Sequence, residues 1–119
     1  MMRSKRKRAR IPLISIARLT PEGMESKEYV LIRDISTDGL GIYSKERYRK
    51  GDLVLVELTL TIQEEKIVES VSGKVVWVAP LPDQNHFAVG IQFEKMQLEK
   101  PKLYAHIKKL EERYGEGPF

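Results

Sequence analysis

Two short stretches of the 119-residue sequence hold residue types that could do chemistry. The first is RKRAR, residues 6–10, inside an opening in which six of the first ten residues are basic and none is acidic. Arginine is a permanent cation with a planar fork of donors, so the segment selects something negative: a nucleic acid, a membrane surface or one small anion. The second is RDISTDGLGI, residues 33–42. In Asp34-x-Ser36-x-x-Gly39, Asp and Ser can bond to backbone amides and Gly can supply a positive φ, which makes a turn. At the end of a strand, the same carboxylate and hydroxyl can reach a ligand.

The distribution of charge bears on which anion is meant. The formal net charge is +4, yet residues 11–119 carry 15 basic against 17 acidic groups, so the excess belongs to the first ten residues. A general nucleic-acid binder usually spreads Lys and Arg over a whole face, and this body does not. Absence of cysteine excludes disulfides, thiolate zinc sites and cysteine nucleophiles, and suits a reducing cytosol. His86 and His106 are too far apart in sequence to suggest a metal cluster. No histidine stands at motif spacing from a nucleophile, and neither a GxSxG elbow nor a Gly-rich phosphate loop occurs, so an enzyme is not expected. No run approaches the ~20 apolar residues of a membrane-spanning helix. IPLISIARL, interrupted by Pro12, Ser15 and Arg18, does not make a signal peptide. The expectation is a soluble, cytoplasmic protein without membrane insertion.

These residues need a scaffold, and the hydrophobic pattern predicts one. Short β-rich runs follow the basic opening at 11–19, 28–36, 39–44, 53–62, 66–80 and 87–93, separated by turn residues such as Pro21, Gly23 and Thr37-Asp38-Gly39. Val54, Val56, Leu58 and Leu60 share one face by the period-two rule, as do Phe87, Val89, Ile91 and Phe93. Gly73 marks a bulge or bend in the longest run. Over 98–114 the period changes to 3.6, with Leu103, Ile107, Leu110 and Tyr114 in a stripe, Pro101 in the first turn and Gly115 as a stop. The pattern predicts a mainly β protein: a small six-stranded antiparallel barrel with a C-terminal helix, residues 11–119 forming a single domain behind a flexible basic arm, 1–10.

Arg6-x-x-x-Arg10 followed by Ile-Pro-Leu, and then Asp34-x-Ser36-x-x-Gly39, resembles the PilZ domain, whose two hallmark motifs are RxxxR and [DN]xSxxG. GKVVWV (73–78) and VGIQF (89–93) also resemble that family's long strand and final strand. The resemblance covers nearly the whole chain in the right order. It implies a β-barrel that binds the bacterial second messenger cyclic di-GMP as ligand, with no cofactor or metal. By that resemblance, Arg6 and Arg10 would grip guanine or phosphate, the Asp34 carboxylate would accept from guanine N1–H and the exocyclic amine, and the Ser36 hydroxyl would serve base or phosphate. Gly39 would allow close approach of backbone. Trp77 either borders the ligand or packs in the core. Lys5 stands where many relatives carry arginine, a departure that bears on whether one or two ligand molecules stack at the site.

The reading is a stand-alone receptor or adaptor, monomer or weak homodimer, whose arm orders around the dinucleotide and whose changed surface is read by an unidentified effector protein. Two alternatives stay open: a PilZ-like interaction module that no longer binds ligand, and a small nucleic-acid-binding barrel. Barrels of the second kind usually offer aromatic platforms on their strands, and here Tyr29, Tyr43 and Trp77 are the obvious candidates. No specific nucleic acid is expected.

Overall fold

The computed structural model describes residues 11–25, 27–62 and 64–115. Within them the strands are β1 (Ile11–Pro21), β2 (Glu28–Ile35), β3 (Gly39–Ser44), β4 (Leu53–Ile62), β5 (Glu65–Pro80) and β6 (Phe87–Phe93), followed by the helices α1 (Met96–Glu99) and α2 (Pro101–Gly115). The strands close an antiparallel barrel in the order β1-β2-β3-β6-β5-β4. Two consecutive meanders, β1-β2-β3 and β4-β5-β6, are therefore joined along two seams, β3 with β6 and β1 with β4. Closure gives every strand two neighbours, which reduces the unpaired edge that invites aggregation.

Alternation explains the interior. Val54, Val56, Leu58 and Leu60 of β4 are each at most 3% exposed, as the period of two demands. Val89 and Ile91 of β6 join the same buried cluster, with Leu103 and Ile107 of α2, both 0% exposed. Each such side chain contributes about 1.5–3 kcal/mol of transfer free energy. The helical stripe thus packs onto the barrel core.

Where alternation fails, the register explains why. In β2, Val30 and Ile32 face inward, yet the next buried residue is Ile35, not Asp34. Ile32 is opposite Ile42 and Asp34 is opposite Gly41, so β2 spends two residues where β3 spends one. That bulge turns both Arg33 and Asp34 outward. A second bulge lies in β5, where Val75 is opposite Ile91 and Trp77 is opposite Gly90. The irregularity expected at Gly73 therefore falls at Val76. Gly73 instead makes room for its neighbour, since a Cβ there would come within 2.6 Å of Ile91 Cγ2.

The helical region also begins earlier than its period suggests. Lys95, at φ 57° and ψ 24°, starts the single turn α1, and Lys100 (φ −132°, ψ 62°) interrupts it. Pro101 has no N–H with which to continue α1 and disfavours helical geometry at the preceding residue, so α2 starts afresh.

Candidate functional site

The two bulges sit at one level of the barrel. Across four strands, Asp34 of β2 is opposite Gly41 of β3, Gly41 is opposite Gly90 of β6, and Gly90 is opposite Trp77 of β5. A carboxylate and an indole are thereby set at the two ends of a floor made of two glycines. That floor is used: a Cβ at Gly41 would lie 2.5 Å from Arg33 Nη2 and 3.0 Å from Asp34 Oδ1, and one at Gly90 would run into the Trp77 indole. Arg33 and Trp77 lie down over glycine because no side chain lifts them. The Arg33 guanidinium carbon stands 5.5 Å from the Trp77 ring centroid and 5.9 Å from that of Tyr43. Its Nε donates to Asp34 Oδ2 at 3.0 Å. Two cation–π contacts, each worth about 0.5–1 kcal/mol at a partly exposed site, hold this cation in place.

The following turn is tied to three elements. The Ser36 N–H donates to the Gly39 carbonyl at 2.8 Å, and Ser36 Oγ accepts from the Asp38 N–H at 3.1 Å. The Phe93 N–H donates to the Asp38 carbonyl at 2.8 Å, which anchors the turn to β6. Thr37 reaches the helix: its N–H and its Oγ1 donate to one oxygen of Glu111, Oε2, at 2.6 and 3.0 Å. Glu111 is only 8% exposed, so a buried carboxylate of α2 clasps the motif turn.

Of the residues singled out in the sequence, Asp34 and Trp77 bracket the glycine floor, and Trp77 is 38% exposed and outside the core. Ser36 is buried beneath the turn that it stabilises. Gly39 does not have the positive φ expected of it. Its requirement is steric, because a Cβ would collide with the Ile91 carbonyl of β6. Lys5, Arg6 and Arg10 lie outside the described residues, as does the whole segment 1–10. Ile11 is opposite Ile35 and Pro12 is opposite Asp34, so the chain preceding Ile11 is joined to the barrel beside the motif strand. Arg33, Gly41 and Gly90 were missed by sequence reasoning. The available signal was glycine inside two strands that otherwise read as β, a mark of close approach by another group.

A second polar cluster fixes the loop between β3 and β4. Glu28 Oε1 accepts from the Tyr48 hydroxyl at 2.9 Å and lies 2.8 Å from Ser44 Oγ, while Oε2 accepts from the Lys45 N–H at 2.9 Å. Burial, followed by the Glu28 carboxylate, pushes the Tyr48 phenol above the ordinary tyrosine range, so it stays a neutral donor. Among the described residues, no group of three His, Asp or Glu side chains could hold a metal ion, and no helix is long and apolar enough to cross a membrane.

The sequence profile of the PilZ domain matches residues 4–110. Among solved structures, the chain is similar to the Bacillus subtilis inhibitor of motility MotI/DgrA, with 12% identity and a TM-score of 0.76 over 97% of this chain and 54% of that one. It is also similar to the Borreliella burgdorferi PlzA protein in complex with c-di-GMP, with 19% identity and a TM-score of 0.64 over 90% of this chain and 41% of the other. The PilZ domain of Escherichia coli YcgR with c-di-GMP matches at 13% identity and a TM-score of 0.66, over 94% and 95% of the two chains. The chain thus spans about half the length of the first two, and at these identities the likeness is one of fold. A search of the curated proteins found no match.

Proposed function

This chain belongs to the PilZ domain family, and from that premise we propose that it is a receptor for cyclic di-GMP in the bacterial cytoplasm. The observation that supports this most is the pairing of Ile11 with Ile35. Ile35 lies between Asp34 and Ser36, and Ile11 follows Arg10 in the sequence, so the segment that carries the first family motif is attached to the barrel beside the strand that carries the second. An arm carrying Arg6 and Arg10 brings guanidinium forks to a dianion with two guanines, and Asp34 accepts from guanine N1–H and the exocyclic amine. Trp77 offers a ring at the other end of the glycine floor.

Arg33 adds a step absent from the motifs. Its guanidinium already engages Asp34 and faces Trp77, so an incoming guanine must either share these partners or displace it. Displacement opens the Arg33 side of the Asp34 carboxylate to the base, and the arm arginines then balance the phosphates. Ligand occupancy orders residues 1–10 around the dinucleotide, and an effector protein reads the altered surface.

Calorimetric titration tests the reading. Cyclic di-GMP is expected to bind saturably and cyclic di-AMP, which lacks the N1–H and exocyclic amine pair, to bind at least ~100-fold more weakly, because a site built to accept those donors rejects a base that cannot supply them. Asp34→Ala should shrink that ratio. Equal affinity of the wild-type protein for both dinucleotides would refute the role of Asp34, and no heat of binding with either would refute the receptor.

A further inference from the structure

Beyond the motif turn, the loop between β3 and β4 reads Arg47-Tyr48-Arg49-Lys50, and it is a built element. Tyr48 is 7% exposed and hydrogen-bonded to Glu28, which leaves its neighbours Arg47, Arg49 and Lys50 exposed. Gly51, at φ 99°, turns the chain in a left-handed conformation that a side chain would resist, and its N–H donates to the Val75 carbonyl at 2.7 Å. The Val75 N–H donates back to the Asp52 carbonyl at 2.8 Å. The loop is therefore stitched to β5 beside the bulge that presents Trp77.

A groove of about 770 Å³ lies along this junction, with Trp77, Val78 and Phe87 among its apolar residues and Arg47, Arg49 and Lys50 supplying its charge. Among the described residues, none that lines it is acidic. Among the described residues none of the three cations is in an ion pair. The acidic groups nearest in sequence, Glu46 and Asp52, are not among the residues that line it, and the Asp52 carboxylate accepts from the Arg49 N–H at 2.8 Å. Within residues 45–52, Lys45, Arg47, Arg49 and Lys50 outnumber Glu46 and Asp52, and the three cations on the groove carry mutual repulsion that an anionic partner relieves. A groove of this volume with an apolar floor exceeds what a lone phosphate requires, and it asks for a ligand with both charge and apolar side chains.

We infer that this groove is the docking site for an acidic segment of a partner protein, its carboxylates meeting Arg47, Arg49 and Lys50 and its apolar side chains meeting Trp77 and Phe87. The inference deepens the receptor reading and rests on it, because Trp77 belongs both to this groove and to the glycine floor. A dinucleotide on one side of the indole changes the surface offered on the other. The partner is thus recognised at a place where occupancy is felt directly.

The chain has one tryptophan, so the emission of Trp77 reports the groove. The probe is a fluorescein-labelled peptide alternating glutamate with leucine, with lysine–leucine and glutamine–leucine versions and oligothymidylate as comparisons. Anisotropy should show saturable binding of the glutamate peptide alone, with a shift in Trp77 emission and weakening as salt is raised. The variant Arg47→Gln, Arg49→Gln, Lys50→Gln should lose at least ~10-fold in peptide affinity, since it removes three exposed charges at the contact. Its calorimetric affinity for cyclic di-GMP should stay within about threefold, because general potential changes while no assigned ligand contact does. Absence of saturable peptide binding, equal binding by the variant, or tighter binding of oligothymidylate overturns the docking site. So does an equal loss of dinucleotide affinity, which would assign the loop to the ligand site. Peptide binding in the absence of any cyclic di-GMP binding would uphold the groove and refute the receptor instead.

Discussion

Replacing Glu111 by alanine tests how the motif turn is held. One carboxylate oxygen receives the Thr37 N–H at 2.6 Å and the Thr37 hydroxyl at 3.0 Å, both in buried surroundings. Hydrogen bonds to a charged group contribute about 1.5–3 kcal/mol each, and a buried backbone N–H left without its acceptor bears the full desolvation cost. The hydroxyl can rotate towards another acceptor, so one full and one partial loss give about 3 kcal/mol for Glu111→Ala. For a domain of this size each kcal/mol lowers the melting temperature by roughly 3–5 °C, which puts the expected fall near 10–15 °C. Thermal unfolding followed by circular dichroism measures this, and Glu112→Ala on the same helix is the control, since Glu112 is exposed and should cost less than ~0.5 kcal/mol. Thr37→Ser keeps both donors and should remain within about 1 kcal/mol of wild type. A double-mutant cycle of Glu111→Ala with Thr37→Val should return a coupling of about 1–2 kcal/mol. If Glu111→Ala proved no more damaging than Glu112→Ala, or the coupling were zero, the clasp between α2 and the turn would carry no energy and the reasoning would fail.

Three further outcomes are expected. Arg6→Ala and Arg10→Ala should each weaken cyclic di-GMP binding by at least ~2 kcal/mol, roughly 30-fold by calorimetry, whereas Arg3→Ala changes it little; equal effects of Arg3 and Arg10 would favour a diffuse electrostatic arm. Gly90→Ala places a methyl group where the Trp77 indole lies, so Trp77 emission should move to longer wavelength and dinucleotide affinity should fall; an unchanged spectrum would deny the close packing of indole on glycine. Saturating cyclic di-GMP should slow tryptic cleavage after Arg6 and Arg10 more than after Arg3, and mass spectrometry showing identical cleavage with and without ligand would remove the arm from the proposed clamp.

The strands were legible because alternation is written in the side chains themselves. Val54, Val56, Leu58 and Leu60 announce their face, and all four are buried. The bulges were not legible. An extra residue such as Arg33 or Val76 leaves no compositional mark, because a bulge is defined by the partner strand's register and not by its own sequence. For the same reason Asp34 and Ser36 could be read as a motif, while the facing glycines could not be read as its floor. Gly41 and Gly90 are 49 positions apart in the sequence and become neighbours only when β3 meets β6. The break between α1 and α2 was hidden because the apolar stripe begins only at Leu103, which left nothing in the pattern to separate Leu98, 82% exposed in α1, from the helix that follows. The clasp from Thr37 to Glu111 spans 74 residues, and no local pattern links a threonine in a turn to one glutamate among several on a helix.

The seam between β3 and β6 also decides what a ligand could do to the folding of the chain. Asp34 belongs to the first meander and Trp77 to the second, so neither half alone contains the floor, and a molecule bound across it is a tie between two separately encoded pieces. Ligand free energy is then added to barrel closure as a whole, by RT ln(1 + [L]/Kd), and not to a local loop. Cut within the connection between Ser44 and Leu53, the two meanders would form a complementing pair whose reassembly reads ligand concentration, a split sensor already inscribed in the order of the strands.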